Sequence, residues 1–186
     1  MKNIFETART IRRFDVSRPL SEETVLSILL PVTKVASAAN LQRIRYRAVT
    51  GKRASELFAS VSLGGSLPPE KKPTPDVAPT AYAVMLTEGE SPDVNLAIDM
   101  GIAAEAIVLT AASMGIGACI IRNFRSEAFA PVSKSAYVPR LVIALGYPAE
   151  RAETVTVSEG ESLRYHKDDD GVNRVPKLPL SALLID

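Results

Sequence analysis

Side chains suited to chemistry are sparse here: one histidine, His166, one cysteine, Cys119, and two short runs that gather arginine, hydroxyl and amide groups. The first run is Arg9-Thr10-Ile11-Arg12-Arg13-Phe14 and the second is Ala36-Ser37-Ala38-Ala39-Asn40-Leu41-Gln42. Arginines beside a hydroxyl can neutralise a bound anion, because each charge-assisted hydrogen bond contributes about 1.5–3 kcal/mol. Serine, asparagine and glutamine donate and accept without adding charge, which suits ligand hydroxyls and ring edges. No HExxH, GxSxG or GxxxxGK(S/T) pattern is present, so neither a self-sufficient catalytic triad nor a metal centre is expected. His166, between Tyr165 and Lys167, reads as an exposed strand residue, and Cys119, in an apolar run with Ala118, Ile120 and Ile121, as a packed thiol. Gly115-Ile116-Gly117 marks a helix end and a tight turn, since it lacks the third glycine of a dinucleotide fingerprint. Asp168-Asp169-Asp170 reads as a solvated turn.

The elements that must position these groups follow from periodicity and punctuation. Residues 3–8 predict a short helix. Ser21 predicts the N-cap of a second, whose apolar positions Val25, Ile28, Leu29 and Val32 repeat at helical spacing until Pro31 kinks or ends it. A strand over 46–50, a helix over 52–62 and a nearly all-apolar, buried strand over 81–87 come next. The prolines at 68, 69, 73, 75 and 79 make 64–79 a loop. Residues 93–114 predict the longest helix, apolar at Leu96, Met100, Ala103, Ala104, Ile107, Val108 and Ala111, with Gly115 as its terminator. Strands over 118–122 and 141–145 and a tail over 163–184 complete the chain. Helices and strands mix irregularly, so the expected class is α+β, not a doubly wound parallel sheet.

Composition narrows the functions. The 186 residues, 46% hydrophobic and 23% charged, describe one domain spanning 1–186, large enough to bury about 70% of its unfolded surface. With 22 basic residues against 21 acidic ones there is no broad field for nucleic acid or an anionic membrane, and any anion site must be local. The single cysteine excludes an internal disulfide. The charged start lacks the apolar core of an export signal, and Glu105, Gly115 and Gly117 interrupt the stretch 101–121 that comes nearest to a membrane span. A cytoplasmic protein is expected.

The order and spacing of four segments resemble the FMN-dependent nitroreductase family over nearly the whole chain. Arg9 to Phe14 looks like the family's opening signature, and the resemblance implies that Arg9, Thr10 and Arg12 meet the flavin phosphate and pyrimidine edge. Ser37 to Gln42 matches a segment that reaches the cofactor of the neighbouring subunit, which implies roles for Ser37, Ala38, Asn40 and Gln42. Ala36 stands there for a usual proline, and Arg43-Ile44 for a proline and an aromatic. Asp99 to Ala104 and Ser113 to Arg122 resemble the family's central helix and the strand after it. The resemblance implies backbone amides of Ile121, Arg122 and Asn123 aimed at flavin N5 and O4, where they stabilise reduced-flavin charge. Small residues at 101, 103, 104, 106, 111 and 112 would let this helix meet a dimer mate. Val142 to Glu150 and Tyr165 to Lys177 resemble the penultimate strand and a C-terminal extension over 163–186 that wraps the dimer partner, with Lys177 returning to the phosphate. Ala8 and Leu178 replace arginines common in the family, which implies loosely held FMN.

The implied fold is a central mixed, mostly antiparallel sheet flanked by helices. The implied protein is a homodimeric oxidoreductase in which NAD(P)H reduces FMN and the flavin then reduces a small acceptor such as a nitroaromatic or quinone, in ping-pong order. No side chain need be catalytic, because flavin N5 carries the chemistry. The alternative is a dimer that binds or sequesters flavin without turnover. Residues 62–79 are the expected cover over the flavin.

Overall fold

The computed structural model describes residues 3–64, 67–89, 92–130 and 136–185. Gly65 and Ser66 of the expected cover, and the last residue of the tail, lie outside the described residues. Asn3 caps α1 (Ile4–Thr7) by accepting from the Phe5 amide. Ser21 caps α2 (Glu22–Leu29), accepting from the Thr24 amide, and Pro31 converts the continuation of α2 into a 3₁₀ segment over Leu30–Lys34. β1 (Arg45–Thr50), α3 (Gly51–Leu57) and β2 (Ala81–Glu88) follow, and then α4 (Val94–Ser113), capped by Asp93. α4 ends in a Schellman motif: Gly115, at φ +70°, donates to the Ala112 carbonyl, and Ile116 donates to that of Ala111. β3 (Gly117–Ile121), α5 (Ser126–Phe129), β4 (Tyr137–Gly146), β5 (Arg151–Thr156), β6 (His166–Lys167) and β7 (Val172–Lys177) complete the chain.

The main sheet has the order β1-β2-β4-β3 and every pairing in it is antiparallel. The expected parallel component is found instead in a second, three-stranded sheet, β5-β7-β6, where β7 runs parallel to β5 and antiparallel to β6. β2 explains its own apolar run. Ala81, Ala83 and Met85 enter the core under α2 and α4, while Tyr82, Val84 and Leu86 enter the core under α3 and α5. A strand covered on both faces cannot alternate with polar residues. Each large aliphatic side chain so buried contributes about 1.5–3 kcal/mol.

Helical periodicity corrects one expectation for α4. Leu96, Met100, Ala103, Ala104, Ile107 and Ala111 all face the chain's own sheet, so Ala103, Ala104 and Ala111 are not available to a dimer mate. The outward stripe is Val94, Ile98, Gly101 and Ile102, with large apolar side chains left exposed. In the tail, β6 and β7 build on β5 of the same chain, and Leu180, Leu183, Leu184 and Ile185 follow exposed. The acidic turn is only partly solvated: Asp168 accepts from the Val172 amide and from the Arg174 guanidinium at 2.6 Å, while Asp169 and Asp170 are exposed.

Candidate functional site

The opening segment is laid along the free edge of β3. The Ile11 amide donates to the Ala118 carbonyl at 2.9 Å, Thr10 bridges Ala118 in parallel, and Phe14 bridges Pro148. Two glycines make this approach possible. A Cβ on Gly117 would stand 2.9 Å from Ile11 Cβ, and one on Gly146 would stand 2.9 Å from a ring carbon of Phe14. Glu150 fixes the next turn of chain. Its Oε1 accepts from the amides of Arg12 and Arg13, at 2.6 and 3.2 Å, and its Oε2 accepts from Asn173 of β7 at 2.8 Å. Sequence reasoning gave Glu150 no role, because the partners that explain it are more than 130 residues earlier.

Arg12 reaches a cavity of about 230 Å³ at the C-terminal end of β3, lined also by Ser62, Gly64, Cys119 to Asn123 and Tyr165. Four of the residues expected at the site, Arg12, Ile121, Arg122 and Asn123, therefore meet in one place. The Arg12 guanidinium lies 4.9 Å from the centre of the Tyr165 ring, a cation–π contact that orients it. No backbone carbonyl among the described residues accepts the Arg122 or Asn123 amide. Among the described residues no carboxylate lines the cavity. Two arginines and open amides make a place that attracts electron-rich groups. Cys119 forms part of the wall as a neutral thiol, since burial pushes its pKa up to about 11 although the Arg12 charge acts to lower it. The cavity is smaller than the roughly 300–1,000 Å³ usual for small-molecule sites, as expected of part of a larger one.

The remaining expected residues are dispersed within one chain. Arg9 lines a separate groove of about 500 Å³ with Ala8, Glu150 and Arg151. Its Nη2 donates to the Phe5 carbonyl, and its Nε is buried without a hydrogen bond among the described residues. Thr10 is exposed between groove and cavity. Lys177 ends β7, exposed and four residues beyond Asn173, roughly 13 Å of strand away. Ser37 to Gln42 precede β1, the edge strand opposite β3, and line no part of the cavity. That turn is strained. Ala39, Asn40 and Gln42 all take left-handed φ values, 48°, 54° and 49°, each costing about 1–2 kcal/mol in a non-glycine residue. It is held by Ser37 Oγ, which accepts from the Gln42 amide at 3.3 Å, and by Asp99 on α4, which accepts from the Ala38 amide at 2.9 Å. Asn40 and Gln42 are exposed.

Residues 6–147 match the Nitroreductase family. The chain belongs to that family. Its fold recurs in a nitroreductase family protein from Clostridium novyi NT, at TM-score 0.61 and 20% identity over 78% of this chain and 83% of the other. It recurs also in a putative NADH oxidase from Clostridium acetobutylicum, at TM-score 0.58 and 22% identity over 78% and 87%. A putative NADH dehydrogenase/NAD(P)H nitroreductase from Bacteroides thetaiotaomicron aligns at TM-score 0.58 and 20% identity over 81% and 86%. No curated protein matches the sequence. Nitroreductase-family membership gives this protein an oxidoreductase role, and proteins of the family typically bind flavin. The family match ends at Tyr147, so Glu150, Tyr165 and Lys177 all lie beyond it.

Proposed function

We propose that this nitroreductase-family chain is an FMN-dependent oxidoreductase, working as a homodimer in the cytoplasm, that passes electrons from NAD(P)H to a small oxidised acceptor such as a nitroaromatic or quinone. The observation that carries this reading is the convergence of Arg12 with the open amides of Arg122 and Asn123 in one carboxylate-free cavity. These residues fit the group. Bound FMN would supply the two-electron chemistry that the chain's own side chains lack. Arg12, oriented by Tyr165, would hold the flavin's anionic or pyrimidine edge, and the 121–123 amides would face the ring atoms that gain charge on reduction. Ile120 and Ile121 exclude water from one side, leaving a single face that donor and acceptor use in turn.

What one chain lacks supports the dimer. Ser37, Ala38, Asn40 and Gln42 stand across the sheet from Arg12, so these groups complete a site only when contributed by a second copy. The exposed stripe Val94, Ile98 and Ile102 offers that copy an apolar face. Lys177 stands at the far end of β7 from Asn173 and lines no part of the Arg12 cavity, which favours a role across the interface, as does the apolar end of the tail, Leu180 to Ile185. Arg9, Thr10 and Lys177 are the proposed phosphate ligands. With Ala8 and Leu178 in place of arginines, FMN is held loosely.

The test is titration of apoprotein with FMN and with riboflavin, followed by flavin fluorescence. The parent chain is expected to bind FMN and purify yellow. Lys177→Ala should weaken FMN and spare riboflavin, while Arg12→Ala should weaken FMN by roughly tenfold to a hundredfold. Absence of binding at saturating flavin refutes the reading. Binding without NADH- or NADPH-driven reduction of any acceptor selects the alternative, a flavin-sequestering dimer.

A further inference from the structure

Asp99 is a carboxyl on the apolar face of the chain's longest helix, 4% exposed, with Leu96, Met100 and Ala103 as neighbours on that face. Its Oδ1 accepts from the Ala38 amide at 2.9 Å, and its Oδ2 is buried without a hydrogen bond among the described residues. Arg43 acts on Asp99 through charge but gives its hydrogen bonds elsewhere. That guanidinium donates twice to Asp93, at 2.6 and 3.0 Å, and its Nε is buried without a hydrogen bond among the described residues. For the stability of the fold this is a poor arrangement, because a buried oxygen left without a donor keeps its full desolvation penalty. An alanine at 99 would extend the apolar surface of Ala103 and Ala104 and leave the Ala38 amide without this acceptor. What this hydrogen bond does is tie to α4 the strained turn at 37–42, which Ser37 Oγ closes from within and whose left-handed residues turn Asn40 and Gln42 outward.

We infer that Asp99 is a positioning residue: through the Ala38 amide it sets the geometry in which Ser37, Asn40 and Gln42 meet the flavin, without touching the flavin itself. The inference rests on the flavin reading above and goes beyond it by assigning a role to a buried helix residue outside the ligand-facing segments. A residue that positions costs affinity when removed, and a residue that merely stabilises costs the fold. Removing the carboxyl leaves the Ala38 amide without its acceptor but also removes a buried oxygen that has no donor, so stability changes little while the turn is freed to relax from its left-handed conformation and lose ligand affinity.

The experiment compares the full-length parent with Asp99→Ala and Asp99→Asn. It measures dissociation constants for FMN and riboflavin, the thermal midpoint of the apoprotein, and its mass by light scattering. Asp99→Ala is expected to weaken both flavins alike, by about tenfold or more, since the turn's groups suit the ring and ribityl chain and not the phosphate. Its midpoint should stay within a few degrees of the parent's and its mass should match. Asp99→Asn keeps a carbonyl acceptor for the Ala38 amide and should bind flavin like the parent. Parent-like affinity in Asp99→Ala overturns the inference and leaves the flavin reading intact. So does an alanine variant that fails to fold or melts lower in step with its loss of affinity, because that assigns Asp99 to stability. A parent that binds no flavin overturns the flavin reading, and this inference with it.

Discussion

Replacing Gly117 by alanine is the sharpest probe of how the opening segment reaches the site. The added Cβ would meet Ile11 Cβ and Cγ1 at 2.9 Å and Cγ2 at 3.0 Å. None of these is the far end of a flexible chain, so the segment carrying Arg9, Thr10 and Arg12 must move away from β3. Forcing extra carbon into a packed site costs about 1–3 kcal/mol. At about 2–4 °C per kcal/mol for a chain of this size, the thermal midpoint should fall by about 2–12 °C. Ile11 is buried, so Ile11→Ala alone should cost about 2–5 kcal/mol by leaving a cavity. The double variant decides the argument. Ile11→Ala removes two of the three clashing atoms, so the combined loss should fall short of the sum by about 0.5–3 kcal/mol. Urea unfolding of the four proteins measures this directly. Strict additivity, or a Gly117→Ala protein as stable as the parent, would falsify the proposed close packing of this segment on β3.

Two predictions concern pH. Hydrogen bonds from Arg43, and then from the Leu96 amide, hold the Asp93 carboxyl down at about 2, below its ordinary value of 3.8. The folded value is the lower one, so the stabilisation is complete above pH 4 and drains away between about pH 4 and 2. Asp93→Asn should flatten that part of the acid-unfolding curve, and superposable curves for parent and variant would count against the pairing. Burial lifts the Cys119 thiol from 9.0 to about 11. Here the folded value is the higher one, so its contribution is whole below pH 9 and lost as pH rises toward 11. Iodoacetamide at pH 8 should leave native Cys119 unmodified and label it in urea; rapid labelling of folded protein would contradict its burial.

Much of the architecture was legible in the chain because its signals are local. The cap Ser21, the break at Pro31, the αL terminator Gly115 and the all-apolar run of β2 each act through residues a few positions away. The candidate site was legible in part for a related reason: the order of polar groups within a segment is a local signal. Arg12 and residues 121–123, expected in one site, line the same cavity.

What tertiary structure alone decided is which of these groups meet. The roles of Gly117 and Gly146 depend on Ile11 and Phe14, more than a hundred residues away, and Glu150 is explained by the Arg12 and Arg13 amides and by Asn173. The alanines of α4 read equally well as core or as interface until the sheet showed which face it covers. Lys177 and Arg12 carry the same charge and the same expected role, yet β7 runs parallel to β5 and leaves Lys177 far along the strand. Residue type and spacing along one chain report what a segment can bond and how it bends. They carry no record of which distant segment arrives beside it, because strand order, register and close backbone contact are settled by packing the whole chain at once.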